Sequence, residues 1–186
     1  MKAVFEGPAP AMTRRQALSG AALAVGGLMA TARMARAEPE GGEVRAAEAI
    51  HQEPEFRAER SRIYEALLDE RRFDALVRLS PDMHELMGPG SAATRIARSE
   101  GGSFCLFGGH IVGMNIELVP NARIVQAWRP ANWPPGIFSI ARFELVATAT
   151  GTRIVFDHRG FPEGTGPHLA DGWKQHYWAP LASFLG

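Results

Sequence analysis

Ser103-Phe104-Cys105-Leu106-Phe107-Gly108-Gly109-His110-Ile111-Val112-Gly113-Met114-Asn115-Ile116-Glu117-Leu118 is two apolar runs separated by a pair of glycines. Adjacent glycines tolerate positive φ, and such a turn joins antiparallel strands. The pattern predicts strands over 103–107 and 110–118. In the second, His110, Val112, Met114, Ile116 and Leu118 share one parity, and Ile111, Gly113, Asn115 and Glu117 share the other. Side chains alternate across a strand, so parity states which residues meet.

The same periodicity continues downstream. A Pro120-Asn121 turn leads to a strand over 123–129 that ends in Trp128-Arg129, and a rim loop carrying Trp133 follows. The next strand, 137–147, places Ala141, Phe143 and Leu145 on one face and Arg142 and Glu144 on the other. Thr150-Gly151 turns into a strand with Ile154, Phe156 and His158 together and Asp157 opposite. These runs form an antiparallel meander. A closing helix begins at Pro167, a residue suited to the first helical position. Leu169, Trp173, Tyr177, Leu181 and Phe184 form its apolar stripe, which must face the sheet. Pro180 predicts a kink, because its ring crowds the carbonyl of His176.

Upstream, a first strand spans 49–57, interrupted by Pro54, which argues for an edge or a bulge. Two short helices follow. Ser61 is positioned to cap the first, and Phe73, Leu76 and Val77 give the second its apolar spacing. The stretch 80–102 reads as a long loop with one helical turn and a short strand near 94–98. The fold class is therefore α+β, a curved antiparallel sheet around a long C-terminal helix with two short helices after the first strand. A hollow between sheet and helix is the natural place for a ligand.

The first 37 residues read as an export signal. Arg14-Arg15 precedes a weakly apolar, Gly- and Ala-rich run, and Arg33-Met34-Ala35-Arg36-Ala37 offers a small-residue cleavage site. Paired arginines before such a run point to the twin-arginine export machinery and a periplasmic or secreted location. An uncleaved leader would instead anchor the chain at the membrane, and Met12 is an alternative start. Residues 38–47 read as a flexible Pro/Gly/Glu linker and 48–186 as one domain. Removing the leader leaves 15 basic and 19 acidic residues, a net of −4. With no clustered Lys and Arg, the chain lacks the electrostatic footprint of a nucleic-acid binder. The lone Cys105, flanked by Phe104 and Leu106, reads as a buried small hydrophobe.

Several pieces, taken in order, carry a resemblance: Gly108-Gly109-His110-Ile111-Val112-Gly113, Ala127-Trp128-Arg129, Trp133-Pro134, Gly151-Thr152-Arg153-Ile154, His158-Arg159-Gly160-Phe161-Pro162 and Gly172-Trp173. The chain from about Ala49 to Leu185 resembles the domain of the heat-shock ATPase activator (Aha) family, within the START-like, or SRPBCC, superfamily. The resemblance implies a helix-grip fold whose members hold apolar molecules between sheet and helix.

The expected function is binding of a small hydrophobic or amphipathic ligand, such as a lipid, in that groove. The candidates for its lining are His110, Met114, Trp128, Phe143, Phe156, His158, Trp173 and Tyr177, with Trp133, Met83 and Met87 beside them. One alternative is a cyclase-, hydratase- or isomerase-type enzyme using His158 in the cavity, since imidazole titrates near neutral pH. Another is a chaperone-like interaction module, which predicts a contiguous exposed apolar patch. His168 and His176 are eight residues apart and match no metal motif, so no metal and no cofactor is expected. No nucleophile motif is present, and Arg129 and Arg142 fall on the outer parity.

Overall fold

The structure is a computed structural model and describes residues 48–80, 83, 87, 88 and 90–186. The expected leader and the expected linker, residues 1–47 together, lie outside the described residues. Eight strands form one antiparallel sheet: β1 (Ala49–Gln52), β2 (Glu55–Phe56), β3 (Arg95–Ile96), β4 (Ser103–Leu106), β5 (Ile111–Val119), β6 (Arg123–Pro130), β7 (Ser139–Thr148) and β8 (Gly151–Arg159). Their order is β1-β8-β7-β6-β5-β4-β3, and β2 also pairs with β8. The expected first strand is two strands, broken at Pro54, with β1 at the sheet edge as the proline implied; the Pro54 carbonyl accepts from the Ile154 amide at 2.9 Å.

Helices α1 (Arg60–Leu68) and α2 (Glu70–Val77) follow β2. Glu59, not Ser61, stands at the N-cap of α1, so that helix starts two residues earlier than the expected cap implies. Asp69 caps α2 by accepting from the Arg72 amide. The closing helix comprises α3 (Gly166–Trp173), a π-turn (Lys174–Trp178) and α4 (Ala179–Leu185). Here the expected kink takes a different form. The Ala179 amide bonds to the Lys174 carbonyl, so the wide turn comes just before Pro180 and makes room for its ring. The extra residue rotates the stripe. Trp178 and Leu185 join Leu169, Trp173, Tyr177 and Leu181 in the core, and Phe184 is only partly buried.

Glu48 and Gln52, at the start of the domain, help dock this helix. Glu48 accepts from the amides of Gly164 (3.0 Å) and Gly166 (3.2 Å) at the start of α3. Gln52 donates to the Ala170 carbonyl and accepts from the Trp178 indole.

The turn between β4 and β5 is longer than the expected two residues. Leu106 pairs with Ile111, which leaves Phe107 to His110 as the loop. Phe107, Gly108 and Gly109 all have positive φ, at 51°, 66° and 99°.

The parity of β5 also departs from expectation, and Met114 is a correction. Gly113 and Asn115 face the core, whereas Met114 and Ile116 are exposed on the outer face, Met114 at 45%. Gly113 lies opposite Phe104. A Cβ there would stand 2.1 Å from the Ala127 carbonyl oxygen and 2.3 Å from Cζ of Phe104. The inner surface therefore needs the glycine where the Phe104 ring crosses. A bulge between Asn115 and Glu117 then brings Leu118 opposite the buried Ile124, on the core face. Cys105 is half-buried rather than buried, because it shares the outward parity of its strand.

Candidate functional site

A groove of about 660 Å³ opens between α3, the β4–β5 turn and the rim loop after β6. Its buried floor consists of Met83, Phe107, Trp128, Trp173 and Tyr177. Its exposed rim carries His110, Asn132 and His168. Trp133, Leu169 and the half-buried His176 complete the walls. This volume lies within the usual range for small-molecule sites, and an apolar floor with a few polar rim groups is their usual make-up. A second depression of about 580 Å³ lies near the start of α1 and the β7–β8 turn. It is shallower, and Arg57, Arg60, Asn121 and Thr150 make its lining largely polar, so the aromatic groove is the better candidate.

The floor is rigid. Trp173 lies 4.2 Å from Tyr177 and 5.3 Å from Trp128 between ring centroids, and Phe107 meets Tyr177 edge-on at 5.2 Å. The Trp128 indole donates to the Tyr177 hydroxyl at 3.4 Å. Burial holds the Tyr177 phenol well above its ordinary pKa, so it stays neutral. Phe107 adopts a left-handed backbone, a conformation that costs a non-glycine residue about 1–3 kcal/mol. Its contacts with Phe73 and Tyr177 offset that cost. Arg129 shapes the rim by donating to the carbonyls of Pro130, Ala131 and Trp133, and its guanidinium lies over the Phe138 ring at 5.5 Å.

The eight sequence-derived candidates divide cleanly. Trp128, Trp173 and Tyr177 form the floor, and His110 stands at the rim. Met114 is on the opposite face of the sheet, for the reason given above. Phe143 and Phe156 are correctly inward but too deep. They pack behind Trp173, with centroids 5.7 and 4.4 Å from its ring, and do not line this groove.

His158 is likewise internal and fully enclosed. Its Nδ1 accepts from the Trp173 indole N–H at 3.0 Å, and its Nε2–H donates to Ser139 Oγ at 2.6 Å. Ser139 passes its own proton to the Trp128 carbonyl at 2.8 Å. These donors fix the tautomer. Burial lowers the imidazole pKa to about 4. Both nitrogens are occupied, so His158 has neither a lone pair nor a proton to offer a substrate. Asp157 instead meets His51 across β1 and β8 on the outer face, at 3.0 Å.

Sequence reasoning did not assign Phe107, Ile111, Asn132, Thr165, His168 or His176 to the groove. A signal for two of them was available. His168, Gly172 and His176 fall four apart, one position ahead of Leu169, Trp173 and Tyr177. They therefore flank the buried stripe.

Residues 57–186 match the family model described as "Activator of Hsp90 ATPase homolog 1-like protein". The "Activator of 90 kDa heat shock protein ATPase homolog 1" of Homo sapiens is 26% identical over 95 residues, covering 51% of this chain and 28% of that protein. The corresponding activator homologue of Dictyostelium discoideum is 35% identical over 80 residues, 41% of this chain and 20% of its own length. The chain thus spans less than a third of either relative. Among solved structures, an HSP90 activator from Plasmodium falciparum superposes with a TM-score of 0.62 at 21% identity, covering 75% of this chain and 96% of that one. CalU16 from Micromonospora echinospora superposes with a TM-score of 0.55 at 20% identity, covering 74% of each. At such identities the superpositions establish a shared fold, the helix-grip architecture, and nothing finer.

Proposed function

We propose that this chain, which belongs to the family of Activator of Hsp90 ATPase homolog 1-like proteins, acts as an exported binding domain. Its cargo is a small hydrophobic or amphipathic molecule held in the groove between sheet and closing helix. The observation that carries this reading is the floor itself. Trp128, Trp173 and Tyr177 present flat apolar surface to an open volume of about 660 Å³, an arrangement that gives contact area at low entropic cost.

Gly172 provides the test. A Cβ there meets only the His176 ring, at 3.9 Å, and the position borders the groove. Leucine at 172 projects into the open volume and raises helix propensity by somewhat less than the ~0.8–1 kcal/mol that separates glycine from alanine. Native mass spectrometry and a thermal-shift panel of lipids and metabolites are expected to show a ligand for the parent chain. They are expected to show none for Gly172→Leu, with the melting temperature of the variant held or raised. A parent chain that binds nothing across the panel sinks the reading.

The outer sheet face supports a second reading, a protein-interaction module. Met114, Ala127 and Ile140 are register neighbours across β5, β6 and β7. Met114 and Ile140 are exposed there, as is Phe138. Met114→Glu with Ile140→Glu should abolish capture of a protein partner, or stimulation of a heat-shock ATPase, while leaving small-molecule binding intact.

A further inference from the structure

Within the described lining of the groove, the side chains able to carry charge are three histidines, His110, His168 and His176, plus the Tyr177 phenol. Among the described residues, no carboxylate, lysine or arginine lines it. From this we infer that the groove is selective for organic anions, taking a carboxylate at its rim and an apolar body over its aromatic floor. The inference rests on the groove being a binding site and names the class of molecule it accepts.

Burial places the two ends of such a ligand. His110 and His168 are exposed at the rim, whereas Trp128, Trp173 and Tyr177 are buried beneath them. A protonated imidazole donates from both nitrogens, and a charge-assisted bond to a carboxylate is about twice as strong as a neutral one. Histidine takes up its proton between about pH 5 and 8. Acid favours the doubly donating form of an imidazole, and the described lining holds no carboxylate to compete for it.

The charged residues described nearby have partners of their own. On α3 and the π-turn, Asp171 and Lys174 face each other at 3.7 Å outside the lining. Arg129 is turned to the rim-loop carbonyls. Glu163, between β8 and α3, has interactions of its own. His158 lies behind Trp173, bonded at both nitrogens. His176 Nδ1 lies 3.5 Å from Ser80 Oγ. Asp82, His84 and Glu85 adjoin Met83 in sequence, outside the described residues. Among the described residues the histidines form no group suited to holding a metal, which leaves an anion as the charge complement of this rim.

Decanoate and 1-decanol share a chain and differ in charge, and decanoate stays ionised across the range tested. Titration calorimetry of the full chain at pH 5.8 and 7.8 is expected to show decanoate binding about tenfold tighter at the lower pH, while decanol is unchanged. In His110→Gln/His168→Gln the pH dependence should vanish. Decanoate should then fall to the affinity of decanol, whose undiminished binding shows that the variant is folded. Equal, pH-independent binding of both probes overturns the anion inference and leaves the groove as an apolar site. PH dependence that survives the double substitution also overturns it, by placing the responsible charge elsewhere. Binding of neither probe overturns both this inference and the reading beneath it.

Discussion

The Trp173 indole N–H points at Nδ1 of His158, so protonating that ring sets a donor against a donor inside the core. The folded pKa is about 4 against about 6.5 in an unfolded chain. A depressed pKa means that the neutral form stabilises the fold. That contribution is complete above pH 6.5, declines as the pH falls and is gone below about 4. Between pH 7.5 and 4.5 it amounts to about 2–3 kcal/mol. His51 runs the other way, because Asp157 and then Glu53 raise its pKa, but it is exposed and contributes little. Urea midpoints for the parent chain should drop over this interval, and His158→Gln should flatten the drop while lowering stability at pH 7.5. A parent profile no steeper than that of the variant contradicts the assignment. Sequence parity correctly placed His158 with Phe156 and Ile154 on the inner face. It carried no information on depth, and depth separates an internal histidine from one that meets a ligand. The same holds for Phe143 and Phe156, which share a face with Trp128 but sit a layer behind the groove.

At the level of elements, alternation was reliable wherever a strand kept its register. Strands β6, β7 and β8 bury the residues that their period predicts. Strand β5 does not, because two non-periodic features decide its inner face. Gly113 admits the Phe104 ring, and the bulge after Asn115 returns Leu118 to the core. Asn115 is wholly buried, yet it is satisfied by Gln126 at 3.0 Å and by the Ala97 carbonyl at 2.8 Å. A polar residue can thus be the inward one while Met114 faces out. Gly113→Ala tests this account. With backbone oxygen and ring carbon both inside contact distance, the substitution should cost about 1–3 kcal/mol in chemical denaturation. A change under about 0.5 kcal/mol would mean that the strand adjusts without strain. In the closing helix, the proline was legible as a perturbation. Its resolution as a π-turn was not, since the wide turn is a backbone response to Pro180 with no residue signature of its own.

For the whole molecule, the meander, the closing helix and the family were all legible because they rest on ordered motifs spread over some 130 residues. Cellular destination rests on the leader alone. Replacing Arg14 and Arg15 with lysine should leave the full-length chain in the cytoplasm, whereas the parent should be recovered from the periplasm or medium with Glu38 as its first residue. Parent and variant found in the same compartment would remove the twin-arginine assignment. The closure of the sheet bears on this route. Strand β1 has its partner in β8, the last strand, and Glu48 grips the start of the helix that comes after it. One side of that joint emerges from the ribosome first and the other nearly last, so the joint cannot close until almost the whole domain has been synthesised. The last turn of synthesis thus supplies the partner that the first strand has been waiting for, and closure of the sheet is a post-translational event.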